Sequence, residues 1–401
     1  MKIVLVHNSY QQRGGEDAVF EQERTMLERA GHRVVVFQRS NSEIQDFTPI
    51  ERLALPINTV WSSGVRRDFS RLLAREAPDL VHVHNTFVMI SPAIYSACRE
   101  KSIPLVQTLH NFRWMCPGAF FYRNGTVCED CVSGSLWNGV RHGCYRGSRA
   151  ATAAIAATLV CHRRMHTWQD SIDCYIALTE FSREKFIEAG FPADRIVVKP
   201  NFVDPDPGPR EGAGAYALYV GRLSAEKGLD TLLRAWEVLP VRFPLQIVGD
   251  GPERASLETM VRERNIQGVT FRGQLSRDDT FRAMKGARLA IVPSGWYETF
   301  CIAIVEALAC GTPVVCSRLG AMQELVADRV TGLHFSPGDA QDLALHAAWA
   351  WNHPSEMSAM GRAARREYEK RYTARRNYAL LMDIYERALG RAARPEVALA
   401  G

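Results

Sequence analysis

Residues 221–228 read Gly-Arg-Leu-Ser-Ala-Glu-Lys-Gly and residues 248–253 read Val-Gly-Asp-Gly-Pro-Glu, while Glu298 and Glu306 stand eight apart at the two ends of Glu-Thr-Phe-Cys-Ile-Ala-Ile-Val-Glu. Tyr219-Val220 predicts a strand end, Gly221 the turn after it, and Arg222 and Lys227 two cations presented above the strand, to which a diphosphate is the natural guest. Residues 293–297 predict a loop and Phe300 to Ala309 a mostly apolar helix, with Glu298 just before it and Glu306 inside it. Were both glutamates helical, eight residues would set them roughly 80° apart around the axis and about 12 Å along it, too far to share a proton. The spacing suits two ends of an extended ligand. Backbone N–H groups near Thr299, Phe300, Cys301 and Ile302 would lie between them, with the positive end of the helix dipole facing phosphate oxygens.

Outward from this region the chain alternates short apolar runs with helical patterns, as parallel α/β units do. Strands are predicted at 3–6, 33–37, 80–84, 105–109 and 175–178, then at 217–220, 245–248, 269–271, 289–292 and 313–316; helices are predicted at 17–30 and 182–189. The Pro- and Gly-rich stretch 205–214 predicts a domain boundary, with a cleft beside it. A length of 401 residues also favours two domains. With 46% hydrophobic and 23% charged residues the composition is that of a soluble globular protein, and a net charge of +5 does not by itself indicate nucleic acid. The N-terminal apolar run turns polar at His7-Asn8-Ser9, which predicts a buried strand rather than a secretory signal. Ten cysteines without an export signal point to a reducing cytoplasm.

Strand 3–6 leads into His7-Asn8 and then Gly14-Gly15 before a helix, a Gly turn whose amides can meet a phosphate or a sugar hydroxyl. G-x-G-x-x-G is absent, which disfavours a nicotinamide enzyme. His84-Asn85 and His110-Asn111 close two neighbouring strands at the edge where open α/β sheets keep their ligands. Cys116, Cys128, Cys131 and Cys144 are spaced C-x11-C-x2-C-x12-C among glycines. Such spacing suits either a structural S4 zinc site stapling a loop with little core or four reduced thiols. From Cys131 to Gln169 there is no Asp or Glu, while Arg141, Arg146, Arg149, Arg163 and Arg164 fall there around the small-apolar run 150–160. That run predicts either a core helix with a basic edge or a helix lying apolar side down on an anionic membrane.

The Glu-x7-Glu pair, the Gly-Arg-Leu-x-x-Glu-Lys-Gly loop, Val-Gly-Asp-Gly-Pro, Phe271-Arg272-Gly273, Gly311-Thr312-Pro313-Val314-Val315 and Gly14-Gly15 occur in one order along nearly the whole chain. In these motifs the chain resembles family 4 of the retaining nucleotide-sugar glycosyltransferases. The resemblance implies an α/β fold of GT-B type, with two Rossmann-like doubly wound parallel-sheet domains facing a cleft. It places an acceptor-binding domain at 1–203 with a Cys-rich insert at 112–149, and a donor-binding domain at 204–389 whose last helix crosses back. A disordered tail is expected at 390–401.

By the same resemblance Arg222 and Lys227 hold the donor diphosphate, Glu306 the ribose hydroxyls and Glu298 the donor sugar. Gly249, Phe300, Cys301 and Ile302 join the donor side, His110 faces the transferred sugar, and Gly14, Gly15, His84, Asn85 and Asn111 line the acceptor side. The family pattern continues Glu-x-Phe-Gly, whereas Cys301 stands here after Phe300. No Asp-x-Asp pair ends a strand, so the cations and the helix N-terminus are expected to stabilise the leaving diphosphate with no cofactor required for the chemistry. The implied partners are a nucleotide-diphosphate sugar and a glycan or lipid-linked acceptor used in cell-surface polysaccharide assembly. No nucleic acid is implied, and the protein is expected in the cytoplasm at the inner face of the membrane. A nucleotide-sugar epimerase of similar fold, or a non-catalytic nucleotide-sugar-binding scaffold, would share the phosphate site.

Overall fold

The computed structural model describes residues 1–11 and 14–392. Its strands are β1 (Lys2–Ser9), β2 (Arg33–Ser40), β3 (Leu80–Val83), β4 (Leu105–Thr108), β5 (Tyr122–Arg123), β6 (Thr126–Val127), β7 (Cys174–Ala177), β8 (Ile196–Val198), β9 (Tyr216–Val220), β10 (Leu245–Val248), β11 (Val269–Gly273), β12 (Ala287–Val292), β13 (Val314–Ser317) and β14 (Gly332–Phe335). Two six-stranded sheets result, in the orders β2-β1-β3-β4-β7-β8 and β11-β10-β9-β12-β13-β14, with β5 and β6 forming a separate antiparallel hairpin. Every pairing within the two large sheets is parallel. Parallel strands covered by helices on both faces read as continuous apolar runs, and Ile3–Val6 in β1 and Val314–Cys316 in β13 are wholly buried.

The chain forms two units. One comprises Met1–Phe120, Glu129–Lys199 and the C-terminal segment from Asn377; the other comprises Phe121–Cys128 and Pro200–Arg376. In the second unit the helix Leu229–Glu237 buries Leu229, Leu232, Leu233 and Trp236, a spacing that lines one face of a 3.6-residue helix. In the first, the helix Gly15–Arg29 buries Val19, Phe20, Met26 and Leu27 together with Glu23, a charge on the core side that its pattern does not announce.

Two sequence expectations change, and one pair of alternatives is decided. The helix predicted from Phe300 begins at Ile302, with Cys301 as its N-cap residue. The small-apolar run lies in the helix Arg149–Arg164, whose Ile155, Ala156 and Leu159 are buried, so its apolar side faces the core and is not free to lie on a membrane. Arg163 turns inward and donates to the carbonyl of Trp114 at 2.9 Å. The tail expected from residue 390 is helical through Ala392, the end of the helix Ala374–Ala392, and the rest of it lies outside the described residues. Strands β5, β6, β8 and β14 and the helix Pro49–Val60 were not anticipated.

Candidate functional site

In the second sheet the strand order reverses between β9 and β12, so the connections leave these neighbours in opposite directions and open a crevice at their C-terminal ends. The candidate donor residues meet there. Lys227 closes the short helical turn Ala225–Lys227 after β9, and Glu298 lies in the loop after β12. Lys227 Nζ donates to Glu298 Oε1 at 2.7 Å, and the same oxygen accepts from Ser294 Oγ at 2.9 Å and Trp296 Nε1 at 3.1 Å. Burial works against the Lys227 ammonium, but the Glu298 carboxylate outweighs it and holds the lysine above its ordinary value. The two residues assigned to different parts of a ligand are thus bonded to each other here, while Arg222 stands exposed.

Two glycines make this junction possible. A Cβ on Gly228, where φ is +71°, would lie 2.1 Å from the carbonyl oxygen of Pro293, and one on Gly249 would lie 1.9 Å from that of Gly221. The glycine at 249 is therefore required by backbone packing between the ends of β9 and β10. Phe300 and Cys301 are buried beside the N-terminus of the helix Ile302–Ala309, whose first N–H groups have no acceptor within the helix. Burial first, then Glu298, pushes the Cys301 thiol up to about 12, so it is no nucleophile at neutral pH. Glu306, in that helix, is pushed by burial up to about 7, with Arg277 pulling the other way. The hairpin of β5 and β6 belongs to this unit: Tyr122 donates its hydroxyl to Ala225 O at 3.3 Å, and the Phe121 ring meets Tyr297 edge-on at 6.4 Å.

The first sheet reverses between β1 and β3, and residues at the ends of β3 and β4 surround a pocket lined by His84, Asn85, His110, Asn111 and Arg113 among others. His84 Nδ1 and His110 Nε2 are 2.9 Å apart with stacked rings. Asn85 is spent on structure: its side chain donates to Asn8 O and accepts from Phe87 N, tying the ends of β1 and β3 together. Asn111 likewise accepts from Arg113 N. Gly14 is the exposed N-cap residue of the helix Gly15–Arg29, and its N–H donates to Asp17 Oδ2 at 2.8 Å. Asp17 in turn bonds His7 Nε2 at 2.9 Å.

Several polar residues of this unit escaped the sequence reading. Burial, reinforced by Asp17, pushes the Glu16 carboxyl up to about 8 despite Arg113 and Asn111. Arg113 lies over the Phe87 ring at 4.1 Å and donates to Pro117 O. Glu23 and Lys199 form an ion pair of 2.8 Å, each side chain 1% exposed. A glutamate in an amphipathic helix and a lysine at a strand end carry no signal of burial, so only the folded chain reveals them.

Of the insert cysteines, Cys116 and Cys131 are buried and Cys128 and Cys144 half-buried. A Cβ on Gly118 would touch Cys116 Sγ and Cys144 Cβ, and one on Gly139 would touch Cys131 Sγ, which places these three around one turn. Among the described residues, the set of three side chains with metal-site spacing is Glu23, His82 and His84, not the cysteines.

The family model "Glycosyl transferase 4-like domain" matches residues 14–201, and "Glycosyl transferases group 1" matches residues 204–367. O-antigen chain mannosyltransferase B of Escherichia coli is 31% identical over 204 residues, covering 46% of this chain and 53% of that protein. D-inositol 3-phosphate glycosyltransferase of Saccharomonospora viridis is 33% identical over 184 residues, covering 43% and 42%. These matches thus span about half the length of the curated relatives. Among solved structures, HepE of Anabaena in complex with UDP has a TM-score of 0.68 at 20% identity, covering 96% of this chain and 100% of that one. Sucrose-phosphate synthase of Thermosynechococcus elongatus has a TM-score of 0.72 at 20% identity, covering 97% and 99%. At such identities these two likenesses speak for the fold.

Proposed function

The chain belongs to the group 1, family 4-like glycosyltransferases, and on that premise we propose that it transfers a sugar, with retention of configuration, from a nucleoside diphosphate to an acceptor hydroxyl. The observation that carries this reading is the meeting of Lys227, Glu298 and the N-terminus of the helix Ile302–Ala309 at the β9/β12 reversal. A diphosphate brought there meets Arg222 and Lys227. Its negative charge competes with Glu298 for the lysine, and the carboxylate so released is an acceptor for sugar hydroxyls. Glu306, further along the helix, accepts from the ribose. In the front-face course that the family resemblance implies, the C1–O bond to the diphosphate breaks as the acceptor oxygen bonds to C1 on the same face. The departing phosphate oxygen takes the acceptor proton, and Arg222, Lys227 and helix N–H groups stabilise its charge. His110, at the pocket of the first unit, faces the transferred sugar.

For the acceptor we propose a lipid-linked glycan at an anionic membrane surface, in polysaccharide assembly. The supporting surface differs from the one the sequence suggested. No helix among the described residues is long and apolar enough to cross a membrane. The helix Pro49–Val60 instead exposes Ile50, Leu53 and Ile57, at 80%, 82% and 72%, along one face. It packs beside the basic helix Arg149–Arg164, where His162 bonds Val60 O at 2.8 Å. An exposed apolar ridge on a helix packed against one that carries the exposed Arg149 and Arg164 suits a headgroup interface. The activity is tested by incubating the protein with UDP-, GDP- and ADP-sugars and following the free nucleoside diphosphate. Slow hydrolysis of one of them without acceptor is expected, and hydrolysis of none would count against a transferase.

A further inference from the structure

Behind the pocket of the first unit lies a chain of buried groups that the transfer chemistry above does not use. Glu23 Oε2 accepts from Lys199 Nζ at 2.8 Å, and the same lysine donates to Asn377 Oδ1 at 3.0 Å. The other carboxylate oxygen, Oε1, lies 3.3 Å from His84 Nε2 and 3.1 Å from His82 Nδ1, ion-pair contacts outside hydrogen-bond geometry. His82 is held separately, by Tyr385 at Nδ1 and Thr108 at Nε2, both at 2.8 Å. His84 then meets His110 through Nδ1 and Nε2 at 2.9 Å. Glu23, Lys199 and His82 are at most 1% exposed and His84 3%.

Proton positions follow from what each atom can do. Burial opposes ionisation of Glu23, but Lys199 and then His82 hold its carboxyl well below the usual range, so it only accepts. Burial, with His82 beside it, drives His84 down to about 3 although Glu23 works the other way. Burial and the neighbouring His84 likewise hold His110 well below its ordinary value. Both imidazoles are neutral and carry one proton each. A bare His84 Nε2 would turn its lone pair on the carboxylate, so that nitrogen carries the proton and His84 Nδ1 becomes the acceptor. The proton in the contact between the rings must then belong to His110 Nε2.

We propose that Glu23 and His84 form a relay that fixes His110 in its Nε2–H tautomer, leaving Nδ1 as the acceptor nitrogen of that ring and making Glu23 and His84 positioning residues for the transfer. Its role in transfer rests on the glycosyltransferase reading; its geometry does not. Lys199 distinguishes a relay from a metal site at Glu23, His82 and His84, because the ammonium already neutralises the carboxylate and a divalent cation would add unpaired buried charge.

The test is histidine-selective nitrogen NMR on the full chain at pH 7 and pH 5.5, with Glu23→Gln and the double variant Glu23→Gln/Lys199→Met, which leaves no unpaired ammonium. Wild type is expected to show neutral His84 and His110 protonated on Nε2 at both pH values. In the variants, whose amide no longer forbids the other arrangement, His110 is expected to become a mixture of tautomers. Turnover should fall about tenfold at unchanged donor KM, the low end of the loss when a metal-bound histidine loses its outer partner. A His110 protonated on Nδ1 in wild type, tautomers unchanged in the double variant, or zinc shifting the His82 and His84 resonances together would each overturn the relay. A protein that transfers no sugar yet shows the expected tautomers would sink the transferase reading and leave the relay standing.

Discussion

At the scale of the residue, Glu306 joins burial to a measurable consequence. An ionised carboxylate accepts from two ribose hydroxyls, whereas its protonated form keeps less acceptor capacity. With its folded value raised to about 7, the free protein loses ionised Glu306 as pH falls from 8 to 6. Nucleoside diphosphate affinity should therefore weaken over that interval in wild type more than in Glu306→Gln. The titration of the diphosphate itself is common to both proteins, so the difference between the two isothermal titration profiles reads Glu306 alone. Parallel profiles would remove the ribose role. The residue scale is also where sequence reading was least complete. Arg222, Lys227, Glu298 and His110 stand out because strand ends and glycine turns frame them. Glu16, Glu23 and Lys199 lie in unremarkable charged contexts and acquire their character only from what folds over them.

At the scale of the element, the exposed apolar face lies on the helix Pro49–Val60, which the sequence did not announce, and not on the helix Arg149–Arg164. The alanine-rich helix packs its apolar side inward because small side chains permit close approach, and the exposed hydrophobic face belongs to its neighbour. Each arginine near an anionic surface contributes about 1 kcal/mol, so weak and reversible binding that falls with salt is expected. In flotation with anionic liposomes at low salt, wild type should rise with the vesicles. Ile50, Leu53 and Ile57 changed together to Ser, or Arg149 and Arg164 to Gln, should stay below. Equal recovery of all three proteins would assign this face to something other than a membrane. The insert is a second element with a separable test. The C-x11-C-x2-C-x12-C spacing leads us to expect one zinc per chain in protein made in reducing cytosol, with chelation lowering thermal stability. Freshly purified protein without zinc would reduce the four cysteines to packing groups.

At the scale of the whole molecule, two parallel sheets were legible because buried parallel strands write themselves as apolar runs punctuated by glycine and proline. The ten strands expected from such runs all appear, most of them displaced by a residue or two at their ends. β14 was not legible: Gly332-Leu333-His334-Phe335 places a histidine in a four-residue strand, where its ring bonds Val326 O instead of marking a surface. β8 is only three residues long and carries too few positions for a period. The strand orders were beyond sequence reading, yet they matter most. They place the reversals β1/β3 and β9/β12 beneath the two clusters of functional candidates, one in each unit. The central claim is that the second of these holds a nucleoside diphosphate between Arg222, Lys227 and the helix from Ile302. It is tested most directly by isothermal titration of UDP, GDP and ADP into wild type, Arg222→Ala and Lys227→Ala. The account predicts one site per chain for at least one nucleotide, weakened about tenfold or more in each variant, since each loses a charge-assisted hydrogen bond. Wild-type affinity in both variants, or no binding of any of the three nucleotides to wild type, would contradict it.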